Sequence, residues 1–567
     1  MNRLFISGLC FYALCWVTLI TIVPLATAQP LVPLKATPKS DFTPTPANQK
    51  GYWNIDVVGD FYLPASKSLT FNGAGRNLHV NQDWEKLFRR GFSALERTRM
   101  TDDEQYIPGF NTKPPGWKSR LVQSRRALAL ARNYFYDPPG NPFDLIWAKD
   151  AEYAPFTKFT RQKGDPDFRN SLGQAMYELD GGCNTFGDCP PSGEINTYGH
   201  MFLDIENEGV SVASQQHQTN LYVMMMQALR DSSSAATQIG SIGPVPHNSY
   251  GATRQSDYDA TIDPFWTQKA AHTAADPNRM VYDRDGNFLK RGIPSSREQG
   301  MPDQIVGKSF GELVDFQMPG TYYVYEHLAY DVPMEWHTDE LLGKHWLAAL
   351  LGEQEVNLAL SPKKSIAWQW LFNTQSDGSR SRNRADFPAP PAVAEGTAIF
   401  YWFTGASGVL FWDDIVDLTP NQNTLPADDP MKGLANDRNY TCYEHYLHGL
   451  WRLFKHHGDM FSGREKYLNQ STDCSFDGGA TWHKYTARDL KVNNLPFARA
   501  IVNGNQILIA AHRPYAAVSD QTSMMVRYQE DGYNFITRIN LTGDEVYMGR
   551  ATMPKPVTLM LCKNCPK

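Results

Sequence analysis

The chain has 567 residues, 42% of them hydrophobic and 12% aromatic, and a formal net charge of −6. That composition argues against disorder, allows two or three domains, and speaks against nucleic acid as a partner, since no basic run offsets the acidic balance. The 14 Trp, 27 Tyr and 29 Phe supply rings of the kind that stack on sugars, although rings also fill cores.

Arg3 precedes an apolar run over 4–25, and Ala26-Thr27-Ala28 follows before Gln29. A short positive region, an apolar core and a small-x-small site predict a signal peptide over 1–28 and a secreted or periplasmic protein. The run is also about long enough to serve as an uncleaved membrane anchor. No other stretch is comparable, so stable membrane insertion is not expected after cleavage. Six cysteines then remain, at 183, 189, 442, 474, 562 and 565. An even number in an exported chain predicts disulfides. Cys442 and Cys474 lie nearest the domain boundary drawn below and are expected to pair across it. Cys562-x-x-Cys565 reads as a local staple, with a redox or zinc pair as the alternative.

Residues 29–50, rich in Pro, Thr, Lys and Ala, read as a linker. From 51 to 458 the pattern predicts one α/β domain. Helices are expected over 81–98 and from Lys118 to about Arg132. A strand over 143–150 opens an alternation of strands and helices. It continues with a strand at 199–208, a helix at 214–231, short strands at 239–243 and 321–327, a helix at 338–354, a strand at 365–373, a helix at 392–404, a strand at 408–414 and a helix at 443–456. Strand then helix, repeated, implies parallel pairing. Six such strands are visible and there is room for two before them, which predicts a (β/α)8 TIM-type barrel. An open doubly wound sheet is the rival, but no glycine-rich phosphate loop follows an early strand. The segment 244–320 is expected as an insertion over the barrel mouth. Beyond 459 short β runs separated by turns predict a β-sandwich over 459–567, with Val502-Asn503-Gly504-Asn505 as a hairpin turn. Ser475-Phe476-Asp477-Gly478-Gly479-Ala480-Thr481-Trp482 resembles the Asp-box of sialidases and other propellers, which implies a structural hairpin. A single copy without a blade-length repeat argues for a turn only.

The chemistry concentrates on Gly199-His200-Met201-Phe202-Leu203-Asp204-Ile205-Glu206-Asn207-Glu208-Gly209. On a regular strand Asp204, Glu206 and Glu208 share one face. Neighbouring carboxylates repel, so one keeps its proton, which suits a site needing both an acid and a base. A solvated strand end is the bland alternative. Glu326 closes the aromatic run Tyr322-Tyr323-Val324-Tyr325 two strands later, where its acid faces the first cluster across a bound sugar. A salt-bridged rim residue is the competing interpretation.

Two carboxylates flanking a glycosidic bond are the equipment for its hydrolysis. The catalytic expectation is Glu208 as general acid and Glu326 as nucleophile or base, with Glu206 and Asp204 behind them. Asn207, Tyr325, Trp368, Trp370, Trp412 and Asp413 are the expected substrate-binding residues, the tryptophans as a sugar platform. The whole resembles secreted barrel glycoside hydrolases. Asn207-Glu208 is similar to the Asn-Glu pair of the large retaining clan, which implies Glu208 as acid/base; strand seven carries no Glu to match that clan's nucleophile. Asp204-Ile205-Glu206-Asn207-Glu208 resembles the Asp-x-Asp-x-Glu strand of chitinase-type enzymes, with Glu206 in the middle Asp position and no upstream Asp-Gly. Two other classes stay open: a non-catalytic carbohydrate-binding protein on the same scaffold, and a polysaccharide lyase. No cofactor is expected. His337 and His345, with Glu335 and Asp339, fit no zinc spacing, so no metal is expected either. No Gly-x-Ser-x-Gly elbow is present. The partner is a carbohydrate, and the sequence leaves the oligomeric state open.

Overall fold

The structure is a computed structural model. Apart from short breaks, it describes residues 30–39, 59–71, 89–95, 200–203, 215–247, 262–322, 339–373, 387–388, 391–411, 434–468, 472–486 and 495–554. The signal peptide, the strand expected at 143–150, the helix expected from Lys118 and the cysteines at 183, 189, 562 and 565 lie outside the described residues.

After β1 (Lys35–Ala36), the strands β2 (Ser68–Phe71), β3 (Ala94–Leu95), β4 (His200–Leu203) and β5 (Gln238–Ser241) follow in order. A hairpin of β6 (Asp276–Tyr282) and β7 (Phe288–Ile293) stands apart. Then come β8 (Phe316–Gln317), β9 (Gly320–Tyr322), β10 (Lys364–Trp370), β11 (Phe372–Asn373), β12 (Phe387–Pro388) and β13 (Gly408–Phe411). Pairing is parallel from β3 to β2, from β2 to β13, from β13 to β10, and from β10 to β8 and β9. Ile242, just past β5, bridges Met318 in parallel, and β5 pairs with β4 in parallel. Apart from the hairpin and the short β11–β12 ribbon, these strands run beside their chain neighbours except between β3 and β4, which do not pair, and β13 lies beside β2.

Helices separate these strands: α1 (Gln215–Ser232) between β4 and β5, α2 (Pro264–Thr267) and α3 (Phe310–Leu313) in the insertion, α4 (Asp339–Leu360) before β10, α5 (Pro391–Phe403) before β13, and α6 (Leu434–His457) after it. Pro391 suits the first turn of α5, where its missing N–H has no helical partner. Gly405, at φ +91°, ends the excursion in a conformation that costs glycine little. Helix α5 is buried from Val393 through Phe403 except for Glu395, because it is packed on several sides at once. Its close neighbour α6 approaches at Gly449, where an added Cβ would lie 2.7 Å from the Glu395 carbonyl and 2.9 Å from the Ala398 Cβ.

The strands are buried on both faces. Phe202, Ile242, Phe316, Met318, Ile366, Trp368 and Leu410 form a cluster made of residues of the strands and of the Ile242–Met318 bridge. The alternate positions Leu69, Ala367, Val409 and Phe411 belong instead to the larger core shared with α4, α5 and α6. This period of two, with both faces apolar, is the signature of a parallel sheet covered by helices.

One expectation fails early in the chain. The helix expected over 81–98 does not reach its C-terminal end as a helix, because Ala94–Leu95 is strand β3. Gly91 takes φ +85°, and Ser93 N–H donates to the Leu69 carbonyl at 2.9 Å. A left-handed residue and a sheet hydrogen bond are incompatible with helical continuation.

The C-terminal part contains β14 (Lys466–Tyr467), β15 (Asp473–Ser475), β16 (His483–Lys484), β17 (Phe497–Asn503), β18 (Gln506–His512), β19 (Gln521–Tyr528), β20 (Phe535–Thr542) and β21 (Tyr547–Thr552). They form two antiparallel sheets, ordered β1-β21-β18-β17-β14 and β16-β15-β19-β20. Both contribute to one cluster that includes Ala500, Ile509, Val526, Ile539 and Leu541. Strands β17 and β18 are buried nearly throughout, since their other face (Phe497, Ile501, Leu508, Ala510) joins the helix core. Strand β20 alternates buried and more exposed residues, as one solvent face requires. The turn joining β17 and β18 uses Gly504 at φ +59° between Asn503 and Gln506, which pair.

Part of the stretch expected as a linker is a strand: Lys35 and Ala36 pair with Arg550 and Gly549 of β21. Thr37 Oγ1 then lies 2.6 Å from His457 Nε2 at the end of α6. The expected Cys442–Cys474 disulfide is absent, for Cys474 is a free, buried thiol. Its side chain packs in the cluster between the two sheets, whereas Cys442 belongs to α6, on the helix side of the first sheet. Burial pushes the Cys474 thiol up to about 12, the behaviour of an inert core cysteine. The Asp-box segment is a turn between β15 and β16. Asp477 accepts from Ser475 Oγ at 2.7 Å, from Thr481 N–H at 2.9 Å and from the Thr481 hydroxyl, while Ser475 Oγ accepts from Gly479 N–H at 2.8 Å. Gly478 and Gly479 both take positive φ, which is why this turn needs that pair.

Candidate active site

The parallel strands end together on one edge. Leu203 pairs with Ser241, Trp368 with both Gly320 and Leu410, Gln369 with both Thr321 and Phe411, and Trp370 with Tyr322. Phe411 pairs in turn with Phe71, and Phe71 with Leu95. Leu203, Tyr322 and Phe411, the last residues of β4, β9 and β13, therefore lie at the same edge of the sheet. In sequence these strands are followed by Asp204, Tyr323 and Trp412. Between β4 and β9 lies one strand, β5. Two spacings amount to roughly 10 Å between strand axes.

Asp204, Glu206, Asn207, Glu208, Tyr325, Glu326, Trp412 and Asp413 themselves lie outside the described residues, as do Glu335 and His337. Of the expected site, the described chain holds Trp368 and the strand position of Trp370. Trp368 is fully buried in the cluster between the strands, with Ile366, Leu410 and Met318 around it. It has no exposed ring face, so its part in an open sugar platform is corrected: it fills the space between the strands. Trp370 is the last residue of β10, after which Phe372–Asn373 turns aside to pair antiparallel with Phe387–Pro388. Asn373, expected as the end of the seventh strand, belongs to that side ribbon.

Below this edge the strands are anchored by buried polar bonds. Tyr401 of α5 donates to the Gly408 carbonyl at 2.5 Å and accepts from Ala367 N–H at 2.7 Å, tying β13 to β10. Burial pushes its phenol well above the ordinary range. Tyr446 of α6 donates to Gln369 Oε1 at 3.1 Å. At the opposite edge His200 meets the Phe316 ring edge-on, with centroids 5.6 Å apart. Burial, aided by the Lys364 charge, lowers its pKa to about 4, so it is neutral there.

One constellation escaped sequence reasoning. At the base of the β6–β7 hairpin, His272 Nε2 lies 2.6 Å from Asp303 Oδ1 and its Nδ1 3.4 Å from Ser296 Oγ. The residue types are those of a nucleophilic triad, but Ser296 is fully buried and its Oγ accepts from Thr273 N–H at 2.9 Å. A hydroxyl so enclosed cannot reach a substrate, and the trio pins the two ends of the hairpin together. Nothing in the linear spacing of 272, 296 and 303 signals this contact. Among the described residues no group of three or more His, Cys, Asp or Glu is arranged to hold a metal ion, and no helix is long and apolar enough to cross a membrane.

No protein-family model matches the chain, and no curated protein matches it. Several solved structures are similar at low identity. An isomaltulose synthase from Klebsiella is 10% identical over 87% of this chain and 100% of its own, with a TM-score of 0.36. A maltogenic α-amylase from Thermotoga neapolitana is 9% identical over 86% and 98%, at 0.35. An endoxylanase from Clostridium papyrosolvens is 10% identical over 87% and 98%, at 0.33. Likeness of this degree assigns the chain neither to a family nor to an activity.

Proposed function

We propose that the chain is an exported glycoside hydrolase, built on a closed (β/α)8 barrel over 51–458 with a β-sandwich over 459–567 packed on its last helices. The observation that carries the reading is the common edge. Asp204-Ile205-Glu206-Asn207-Glu208 and Tyr323-Val324-Tyr325-Glu326 directly follow parallel strands with one strand between them. In a barrel of this kind the chemistry sits at the C-terminal strand ends. The seven described strand positions leave one place, between β3 and β4, which the expected strand at 143–150 would take.

Phe202 faces the cluster between the strands. Strand alternation continued beyond it directs 204, 206 and 208 to the same side, toward the barrel axis. In this account Glu208 protonates the leaving oxygen, its proton held by the nearby charges of Glu206 and Asp204. Glu326 attacks the anomeric carbon, or activates water to do so, according to the separation of the two carboxyl groups. Tyr325, Trp370, Trp412, Asn207 and Asp413 line the sugar path; Trp368 supports it from below. The chemistry needs no cofactor. The test is to screen the exported protein on a panel of polysaccharides and aryl glycosides for new reducing ends. Release from at least one substrate is expected, and no release from any of them would overturn the reading.

A further inference from the structure

A cavity of about 410 Å³ opens at the seam where α5 and α6 meet the turn between β20 and β21. Glu395 of α5 and His445 and His448 of α6 form one side of it. Glu395 is held from behind by Arg452, which is itself buried and donates to the Val546 carbonyl at 2.9 Å. That bond uses Oε1 of Glu395. On the other side Lys39 donates to Glu545 Oε2 at 2.7 Å, and Thr542 N–H donates to Oε1 at 2.8 Å. Pro391, Ala392 and Val518 supply apolar wall.

Two features define what such a cavity can take. First, most of its strong charges are paired, Arg452 balancing Glu395 and Lys39 balancing Glu545, with the Asp544 carboxyl left at the rim. Burial lowers His445 to about 4 and His448 to about 3, Arg452 adding to the second, so both imidazoles are neutral at ordinary pH. A strongly charged ligand therefore meets little excess of opposite charge beyond that one rim carboxyl. Second, the polar residues of the lining differ on opposite walls: Glu395, His445 and His448 on the helices, and on the β side Lys39 and Thr542, whose hydroxyl donates to Gln521 Oε1 at 3.3 Å. Such sets pair with neighbouring hydroxyls, each of which donates and accepts. The volume lies at the lower end of the range for small-ligand sites.

We infer that this seam is a second, non-catalytic binding site for a neutral, hydroxyl-rich ring, a mono- or disaccharide unit of a glycan. The choice of a sugar rests on the proposed glycosidase function; the site itself stands on its own geometry. The ring lies between the α5 N-terminus and the β20–β21 turn and bridges the two parts of the chain. Occupancy there anchors a long glycan without touching the reacting bond.

The test uses calorimetric titration of the full mature chain with glucose, xylose, cellotetraose and xylotetraose, with aryl-glycoside hydrolysis measured alongside. Ala392→Phe fills the cavity from the first turn of α5, and Asp544→Asn alters its rim without touching a buried ion pair. For at least one of these sugars, Ala392→Phe is expected to remove one binding event, weakening it at least tenfold, while aryl-glycoside kcat/KM stays within twofold of the parent. Unchanged titration in Ala392→Phe, with the thermal midpoint of the parent, overturns the seam site and leaves the hydrolase reading untouched. A parent that hydrolyses but shows no such event has the same meaning. A parent that neither binds nor hydrolyses any sugar overturns both.

Discussion

The ion pair between Arg499 and Glu355 joins the first antiparallel sheet to α4, and breaking it measures how firmly the two parts of the chain are coupled. Arg499 Nε donates to Glu355 Oε1 at 2.6 Å and Nη2 to Oε2 at 3.3 Å, with both side chains 2% exposed. Arg499→Met leaves the carboxylate buried without its partner, which costs about 3–5 kcal/mol. The double replacement Arg499→Met with Glu355→Leu removes both charges together and restores a matched apolar contact, so most of that loss returns. The coupling between the two sites is then on the order of 3 kcal/mol. The exposed pair Lys39–Glu545, with side chains 52% and 21% accessible, is the control: Lys39→Met should cost about 1 kcal/mol or less. Urea unfolding of the parent, the two single variants and the double variant, followed by tryptophan fluorescence, supplies the free energies. A single variant losing under about 1 kcal/mol, or a coupling near zero, would show that burial of this pair does not govern the interface.

Three further outcomes follow from the packing. Gly449→Ala should destabilise by about 1–2 kcal/mol in urea unfolding, because crowding against α5 exceeds the helix propensity that alanine brings. Unfolding on acidification should begin well above the carboxylate range. His200, His445 and His457 are lowered to about 4 and His448 to about 3, chiefly by burial. The unfolded chain thus binds extra protons between pH 6.5 and about 4, and stability falls as pH drops through that window, by up to about 1.4 kcal/mol per pH unit for each histidine. His457→Gln should flatten the slope of stability against pH. Asp477→Ala should speed hydrogen exchange at the Thr481 and Gly479 amides, the two N–H groups tied within that turn. At neutral pH the Asp477 carboxyl is ionised, its pKa held far below the usual range by the Thr481 hydroxyl and amide and by Ser475, and this contribution is lost only as pH falls below that range.

Much of the architecture was legible because apolar periodicity reports burial directly. The runs at 365–373 and 408–414 read as strands since both of their faces are covered, and the structure places β10 and β13 there. The run at 392–404 read as a helix by its length and small residues, and α5 occupies it. Pairings distant in sequence were not legible. Nothing in Lys35-Ala36 announces an edge strand, because its partner is supplied by residues 549 and 550. The Cys442–Cys474 expectation failed for a related reason: nearness to a boundary along the chain says nothing about which face of a sheet a thiol occupies. Trp368 shows the ambiguity of aromatic residues, for a ring on a strand near a mouth and a ring filling the interior have the same local sequence. The acids at 204–208 stand out in the sequence by their period of two but lie outside the described residues, whereas the Ser296–His272–Asp303 contact depends wholly on how the insertion folds.

The central claim is that Glu208 and Glu326 divide the work of glycosidic cleavage. It is tested most directly by comparing kcat/KM of the parent, Glu208→Gln and Glu326→Gln on two substrates, a natural glycan and an aryl glycoside whose leaving group needs no proton. Loss of the acid should lower glycan cleavage by about 10²–10⁴-fold and aryl-glycoside cleavage far less, while Glu326→Gln should abolish both. Glu208→Gln protein that cleaves the glycan at the parental rate would contradict the account.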